Sequence, residues 1–327
     1  MARTRLSLSR QRLLAEAAAL NFRPDMLEKA VRLLSLLGAI GRHPLLSGSV
    51  ALKGGTALNL FYFDVPRLSV DIDLNFVGVE DRAAMVAQRP EIEAAIELVA
   101  RAERLAVTRS PDEFAGGKWR MRYESALGQS GNLALDLNFM ARVPLWPIAA
   151  RDSRPLGSFL AHAIPLIDLH EIAAGKLVAL FARRASRDLF DSHAILGRAD
   201  LDPQWLRAAF VTMGAMSRTD WRTVTAASVE FDPRELWDQL APVVGGSMPQ
   251  GRRDFTQWAT QLVAETRARL ALILPFTEPE LEFLDRLLDH GEIRPGLLTG
   301  DPELADRLGR QPQLAWNAQH VTRHFGR

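Results

Sequence analysis

The chain of 327 residues has no cysteine. Disulfides, thiolate metal sites and a cysteine nucleophile are therefore excluded, and a reducing, cytoplasmic setting is expected. Net charge is nearly absent as well: 40 Lys and Arg oppose 39 Asp and Glu, leaving +1 with histidine neutral. Global charge thus does not announce a nucleic-acid partner, and any such contact must come from a local patch. No apolar run reaches the roughly 20 residues of a membrane helix, so no membrane partner is expected. The seven histidines form no metal set. His320 and His324 are spaced i, i+4, but no Glu or Cys nearby completes a zinc site, so a surface pair is expected. No serine lies in a Gly-x-Ser-x-Gly context, which leaves hydrolase chemistry unsupported.

Hydrophobic residues make up 47% of the chain, ample core for one large or two moderate domains. The opening carries Arg3, Arg5, Arg10 and Arg12 with no acid before Glu16. Its apolar part is broken by Arg and Gln, so it reads as a basic arm followed by a helix rather than a signal peptide. A second helix is expected over 24–41, a short strand over 45–52, and a helix over 80–99 interrupted at Pro90. Strict alternation over 119–123 and 132–139 predicts two strands paired through the turn at Gly128 to Gly131. Residues 143–156, rich in Pro and Arg, read as a connector. Beyond them helical patterns cover 168–185, 186–196, 204–216, 233–240, 253–274 and 279–288. The expected architecture is α+β. Residues 1–150 form a lobe with a mixed sheet flanked by helices, and residues 151–327 form a helical lobe.

The chemistry concentrates in LKGGTALNLFYFDVPRLSVDIDLNF, which begins at Leu52. Gly54 and Gly55 lack Cβ atoms, so the backbone there can turn sharply and approach a ligand. Thr56 adds a hydroxyl, and the apolar residues after it read as a helix starting there. A helix start presents free N–H groups and a positive dipole end, which suits phosphate. In the alternating run Val70 to Leu74, Asp71 and Asp73 share one strand face. Their repulsion is relieved by a divalent cation, and hard oxygen ligands suit Mg²⁺, with Mn²⁺ as the alternative. Alone, a Gly-Gly-Thr is an ordinary turn and an Asp-x-Asp an ordinary wet strand face. In this order they are far more specific. On the strand read over 132–139, Asp136 and Asn138 share the face opposite the leucines.

A second cluster falls late in the chain: Lys176, Arg183, Arg184, Arg187, Asp188 and Asp191. Lys176 and Arg184 are eight apart, a little over two helical turns, so both can point into one cleft. Asp188 and Asp191 are three apart and hence neighbours on a helix face. Taken alone, such a cluster is usually a solvated face with local ion pairs.

The glycine turn followed by a carboxylate strand resembles the nucleotidyltransferase fold of the DNA polymerase β superfamily. The fuller set resembles the AbiEii/MenT family of nucleotidyltransferase-like toxins over nearly the whole chain. That set comprises Lys53-Gly54-Gly55-Thr56, Ser69-x-Asp71-x-Asp73, Lys176 with Arg184, and Asp188 with Asp191. The resemblance implies a toxin of a toxin–antitoxin or phage-defence module that moves a nucleotide from an NTP to an acceptor, foremost the 3′ end of tRNA, and blocks translation. It implies catalytic roles for Asp71, Asp73, Asp136, Lys176 and Asp188, with Asp71, Asp73 and Asp136 as metal ligands. Nucleotide-binding roles are implied for Lys53, Gly54, Gly55, Thr56, Ser69, Lys176, Arg184 and Asp191. Lys118, Arg120 and Arg122, alternating on one strand, and Arg183 and Arg187 are candidates for RNA contact. A cognate antitoxin is the implied protein partner, and a monomer is expected. The alternatives are a transferase acting on a protein or small molecule, and a nucleotide-binding module without transferase activity.

Overall fold

The computed structural model describes residues 8–109, 116–217, 219–244, 248–249 and 251–325. Arg3 and Arg5 of the expected basic arm lie outside them. The chain forms two compact units. The first takes Met1–Arg142, Ile148–Ile167 and Ala241–Met248, and the second takes Val143–Pro147, Asp168–Leu240 and Pro249–Arg327.

The first unit opens with α1 (Arg10–Leu20) and α2 (Pro24–Gly41). Ser9 caps α1 by accepting from the Arg12 N–H at 3.2 Å, and Pro24 starts α2 where its missing N–H costs nothing. Next come β1 (Val50–Lys53), α3 (Gly54–Ala57), a wide π turn (Leu58–Tyr62) and β2 (Asp71–Phe76). They are followed by α4 (Arg82–Ala102), β3 (Ala106–Arg109), β4 (Gly116–Glu124), β5 (Ser130–Asn138), β6 (Ala149–Arg151) and β7 (Ile164–Leu166). The seven strands make one sheet in the order β3-β4-β5-β2-β1-β7-β6. β2 runs parallel to β5, β1 runs parallel to β7, and the other pairs are antiparallel, so the sheet is mixed.

One face of the sheet is apolar. Ile72, Leu74, Leu133, Leu135, Leu137, Trp119, Met121 and Tyr123 are all buried on it. The opposite face carries Asp71, Asp73 and Asp136, together with exposed Lys118, Arg120 and Arg122.

Three local expectations are corrected. The strand expected over 45–52 shrinks to four residues, because residues 43–50 spend their N–H groups on tight turns such as Ser49 N–H to Leu46 O and Val50 N–H to Leu46 O, each 3.0 Å. α4 runs unbroken through Pro90, which lies on its exposed side, so the carbonyl that loses a donor can turn to water. The connector region contains β6, too short to register as alternation.

Glu28 ties α2 to the β4–β5 hairpin. Its carboxylate is 1% exposed and accepts from Arg32 at 2.7 Å, Ser125 Oγ at 2.5 Å and the Ala126 N–H at 2.9 Å. The neighbouring Tyr123 hydroxyl is pushed up to about 12, first by burial and then by the Glu28 charge. A raised phenol pKa adds stability that is complete below the unfolded value near 10 and is lost as pH climbs through about 12. Only two tyrosines are present, so ultraviolet titration can follow the event directly. One tyrosine should ionise only near pH 12, and Glu28→Ala should bring it down while costing about 2–4 kcal/mol in urea unfolding.

The second unit is helical: α5 (Leu169–Arg183), α6 (Ser186–Leu196), α7 (Pro203–Ala215), α8 (Pro233–Leu240), α9 (Arg252–Arg269), α10 (Glu278–His290), α11 (Pro302–Gly309) and α12 (Pro312–Phe325). Its helix starts are chemically marked. Asp168, Asp202 and Asp301 accept first-turn N–H groups, and Thr277 with Glu280 forms a capping box. Phe181, Phe210 and Trp221 pack with ring centroids 5.3 to 6.0 Å apart.

Candidate functional site

In the first unit, β1 leads straight into the glycine turn. Gly54 takes φ +73°, and a Cβ there would stand 2.4 Å from Asp73 Oδ2. Only glycine meets both demands, the left-handed backbone and the close approach to a carboxylate. The helix begins at Gly54, two residues earlier than the Thr56 start expected from the sequence. Thr56 is fully buried, with its hydroxyl 2.5 Å from the Asp71 carbonyl and 3.0 Å from Ser69 Oγ. A carbonyl can only accept, so the single Thr56 proton goes to Asp71. Thr56 thereby fastens the turn to the first residue of the carboxylate strand. Asn59, also buried, donates to the Gly55 carbonyl at 2.9 Å and holds the turn from within.

The strand register aligns the charged residues. Asp73 stands opposite Asp136 on β5 and opposite Lys53 on β1, while Asp136 stands opposite Lys118 on β4. Adjacent strands are about 4.8 Å apart, so Lys53, Asp73, Asp136 and Lys118 form one line across four strands. Asp71 occupies the next row, with Ala134 and Arg120 as its successive neighbours. On the other side of the charged line lies a row with Asn75 and Asn138. The Asn138 side-chain Oδ1 accepts from the Met140 and Ala141 N–H groups at 2.7 and 3.0 Å. Asn75 is 3% exposed, and among the described residues its Oδ1 has no hydrogen-bond partner. Sequence reasoning noted Asn138 only as sharing the face of Asp136 and passed over Asn75, although its place two residues beyond Asp73 puts it on the same face.

The carboxylates suit a hard divalent cation. Among the described residues, no three His, Cys, Asp or Glu side chains stand close enough to hold a metal by themselves. Mg²⁺ is commonly bound through one or two carboxylates, with water and substrate phosphates completing its shell. A carboxylate pair beside a bare glycine turn, where a Cβ would fill the space, fits that pattern.

In the second unit, Lys176 is 8% exposed and its Nζ lies 2.9 Å from Asp188 Oδ1 and 3.0 Å from Asp191 Oδ2. Both aspartates are buried, at 1% and 0% exposure, and their three-residue spacing on α6 turns them the same way. Arg183 clasps Asp188 with two hydrogen bonds of 2.6 and 3.0 Å. Burial alone would raise the Asp188 carboxyl, but the Arg183 and Lys176 contacts outweigh it and hold the group below the ordinary range. The helical spacing argument for Arg184 does not survive. α5 ends at Arg183, and Arg184 is its exposed left-handed cap at φ 50°, so the helix period no longer sets its direction. The Arg183–Asp188 contact crosses the junction between α5 and α6. Arg187 is half-buried on α6.

A glycine turn fixed against carboxylates on adjoining strands of a mixed sheet is the framework of a nucleotidyltransferase. The profile of the family described as nucleotidyl transferase AbiEii toxin, type IV toxin–antitoxin system, matches residues 36–273, and the chain belongs to that family of nucleotidyltransferase toxins. In fold it is similar to MenT4, a nucleotidyltransferase toxin from Mycobacterium tuberculosis. The two share 17% identity and a TM-score of 0.61 over 93% of this chain and 99% of that one. No curated protein sequence matches. Among the described residues, no helix is long and apolar enough to cross a membrane.

Proposed function

We propose that this chain is the toxin of a two-gene module, held in check by a cognate antitoxin. In this reading it acts in the cytoplasm as a monomer, moving a nucleotide from an NTP to the 3′ end of tRNA and thereby stopping translation. The observation that carries the reading is the register of Asp73 against Asp136, with Gly54 pressed on Asp73 and Asp71 on the same strand face. Asp71, Asp73 and Asp136 would hold Mg²⁺ or Mn²⁺, which supplies charge neutralisation for the phosphates and a template for in-line displacement. The Gly54 and Gly55 backbone cradles the triphosphate, with Lys53 adding charge beside Asp73. Thr56 and Ser69 keep the turn in place. Lys176 stabilises charge on the departing pyrophosphate, Asp188 and Asp191 fix its ammonium, and Arg184 adds positive charge. In the same reading Asp136 would also take the acceptor hydroxyl proton.

Incubation with each labelled NTP, Mg²⁺ and total tRNA or cell lysate tests the proposal. Label on tRNA supports it, label on a protein or small molecule replaces the acceptor, and label on nothing removes the transferase reading.

An RNA acceptor needs cationic side chains beside the site. Arg120 and Arg122 are exposed on one face of β4, and Arg183 and Arg187 offer further charge. Phosphate contacts give salt-dependent, sequence-independent affinity. The double variant Arg120→Gln/Arg122→Gln should weaken tRNA binding about tenfold at low salt and flatten the salt dependence by about two phosphate contacts. Filter binding at several salt concentrations reads both, and an unchanged slope would remove this strand from the RNA surface.

A further inference from the structure

The basic residues of β4 do not stand in equivalent places. Arg122 lies opposite Asn132 and Arg120 opposite Ala134, both off the line of Asp73 and Asp136. Lys118 lies opposite Asp136, which in turn lies opposite Asp73. Two strand spacings therefore separate the Lys118 backbone from that of Asp73, about 10 Å. Arg120 is displaced along the strand by a further 7 Å or so. A lysine stem covers about 6 Å and ends in three donors on a compact charge, so its ammonium can swing over the Asp136 position.

The side chain alternates correctly for this. Lys118 is exposed, while Gly117 and Trp119 on either side are buried. The line as a whole reads cation, anion, anion, cation, with Lys53 flanking Asp73 and Lys118 flanking Asp136. The aspartates in the middle are the groups that would hold a cation, and the lysines at the ends are placed for the anion that arrives with it.

We propose that Lys118 belongs to the nucleotide rather than to the RNA surface: it is a phosphate-binding residue on the Asp136 side of the site, as Lys53 is on the Asp73 side. The proposal rests on the reading of Asp73 and Asp136 as the metal-binding pair. It divides β4 by row, with Lys118 serving the triphosphate and the two arginines beyond it serving the acceptor.

The test is equilibrium binding of a non-transferable α,β-methylene NTP in the presence of Mg²⁺ and the absence of acceptor, on the full chain. Lys118→Gln should weaken binding about ten- to a hundredfold, the loss of one charge-assisted contact. Lys118→Arg, which keeps the charge, should recover most of it, and the thermal midpoint should be the same in all three proteins because the side chain is exposed. A parallel tRNA titration should show the parental salt slope in Lys118→Gln. Unchanged nucleotide affinity in Lys118→Gln overturns the proposal, and a reduced salt slope with unchanged nucleotide affinity returns Lys118 to the RNA surface. If the parent protein itself fails to bind the analogue, the metal-pair reading has failed instead.

Discussion

Asp73→Ala is expected to abolish nucleotide transfer and growth arrest while leaving the fold intact. Asp73 faces Asp136 across a strand pair and shares a strand face with Asp71, so three carboxylates lie on one side of the sheet. Removing one relieves repulsion, and the thermal midpoint should hold or rise slightly. The same change deletes a donor from a site where the protein offers few, and the turn at Gly54 loses the carboxylate against which it is fitted. The loss should be on the order of a thousandfold or more in transfer rate. Asp71→Ala should behave alike, except that its backbone carbonyl still receives the Thr56 hydroxyl. Labelled-NTP transfer and expression toxicity, beside a thermal melt, decide the matter. Wild-type toxicity at equal expression in either variant would defeat the catalytic reading.

The second large effect lies at Lys176, where activity and stability must be separated. Lys176→Ala leaves Asp191 buried beside Asp188 without the ammonium that bridges them. Removing one partner of a buried ion set costs about 3–5 kcal/mol, because the remaining charges stay out of water. The single variant should therefore lose its transfer activity and also melt well below the parent. The triple variant Lys176→Met/Asp188→Asn/Asp191→Asn removes the charges together and should regain most of the lost stability. If Lys176 serves the pyrophosphate, the triple variant stays inactive. Full activity in a stable triple variant would make the cluster purely structural.

The pH dependence of this cluster has a definite sign. The Asp188 carboxyl is held below its ordinary value, so the stability it contributes is present above about pH 4 and is lost as pH falls through the lower folded value. The parent should destabilise along that acid limb, and the triple variant should show less of it.

The sequence made the middle of the sheet legible because alternation is a strong signal there. Asp71, Asp73 and the strand of Asp136 could all be placed by period alone. The bounds of α2 came out correctly because its apolar stripe runs uninterrupted and Pro24 marks its start. Other features were hidden. The pairing of Asp73 with Asp136 depends on the register of a parallel strand pair, which no local pattern encodes. β3, β6 and β7 are three or four residues long and give no periodicity. The direction of Arg184 cannot be read from spacing, because a helix end is set by cap geometry while the spacing argument assumes the helix continues. A carboxamide on a strand carries no charge pattern, so Asn75 has no signal in the sequence, although its burial sets it apart from the half-buried Asp71 and Asp73 on the same face.

The path of the chain through the two units has a consequence for synthesis. The unit that bears the carboxylates takes its last segment from Ala241–Met248, where the Val243 carbonyl accepts the Leu68 N–H at 2.8 Å. Leu68 lies just ahead of the carboxylate strand, so the approach to that strand waits for residues made much later. At about 5–20 residues per second, the ribosome needs on the order of 12 to 50 seconds to reach that segment. For the last 5 to 20 seconds or so of it, after Asn138 is made, the nascent chain carries every residue of the glycine turn and the carboxylate strands but not the piece that secures them. A toxin built this way is assembled late in its own translation, and a cut between Asn138 and Ala241 would release the motifs without the finished unit.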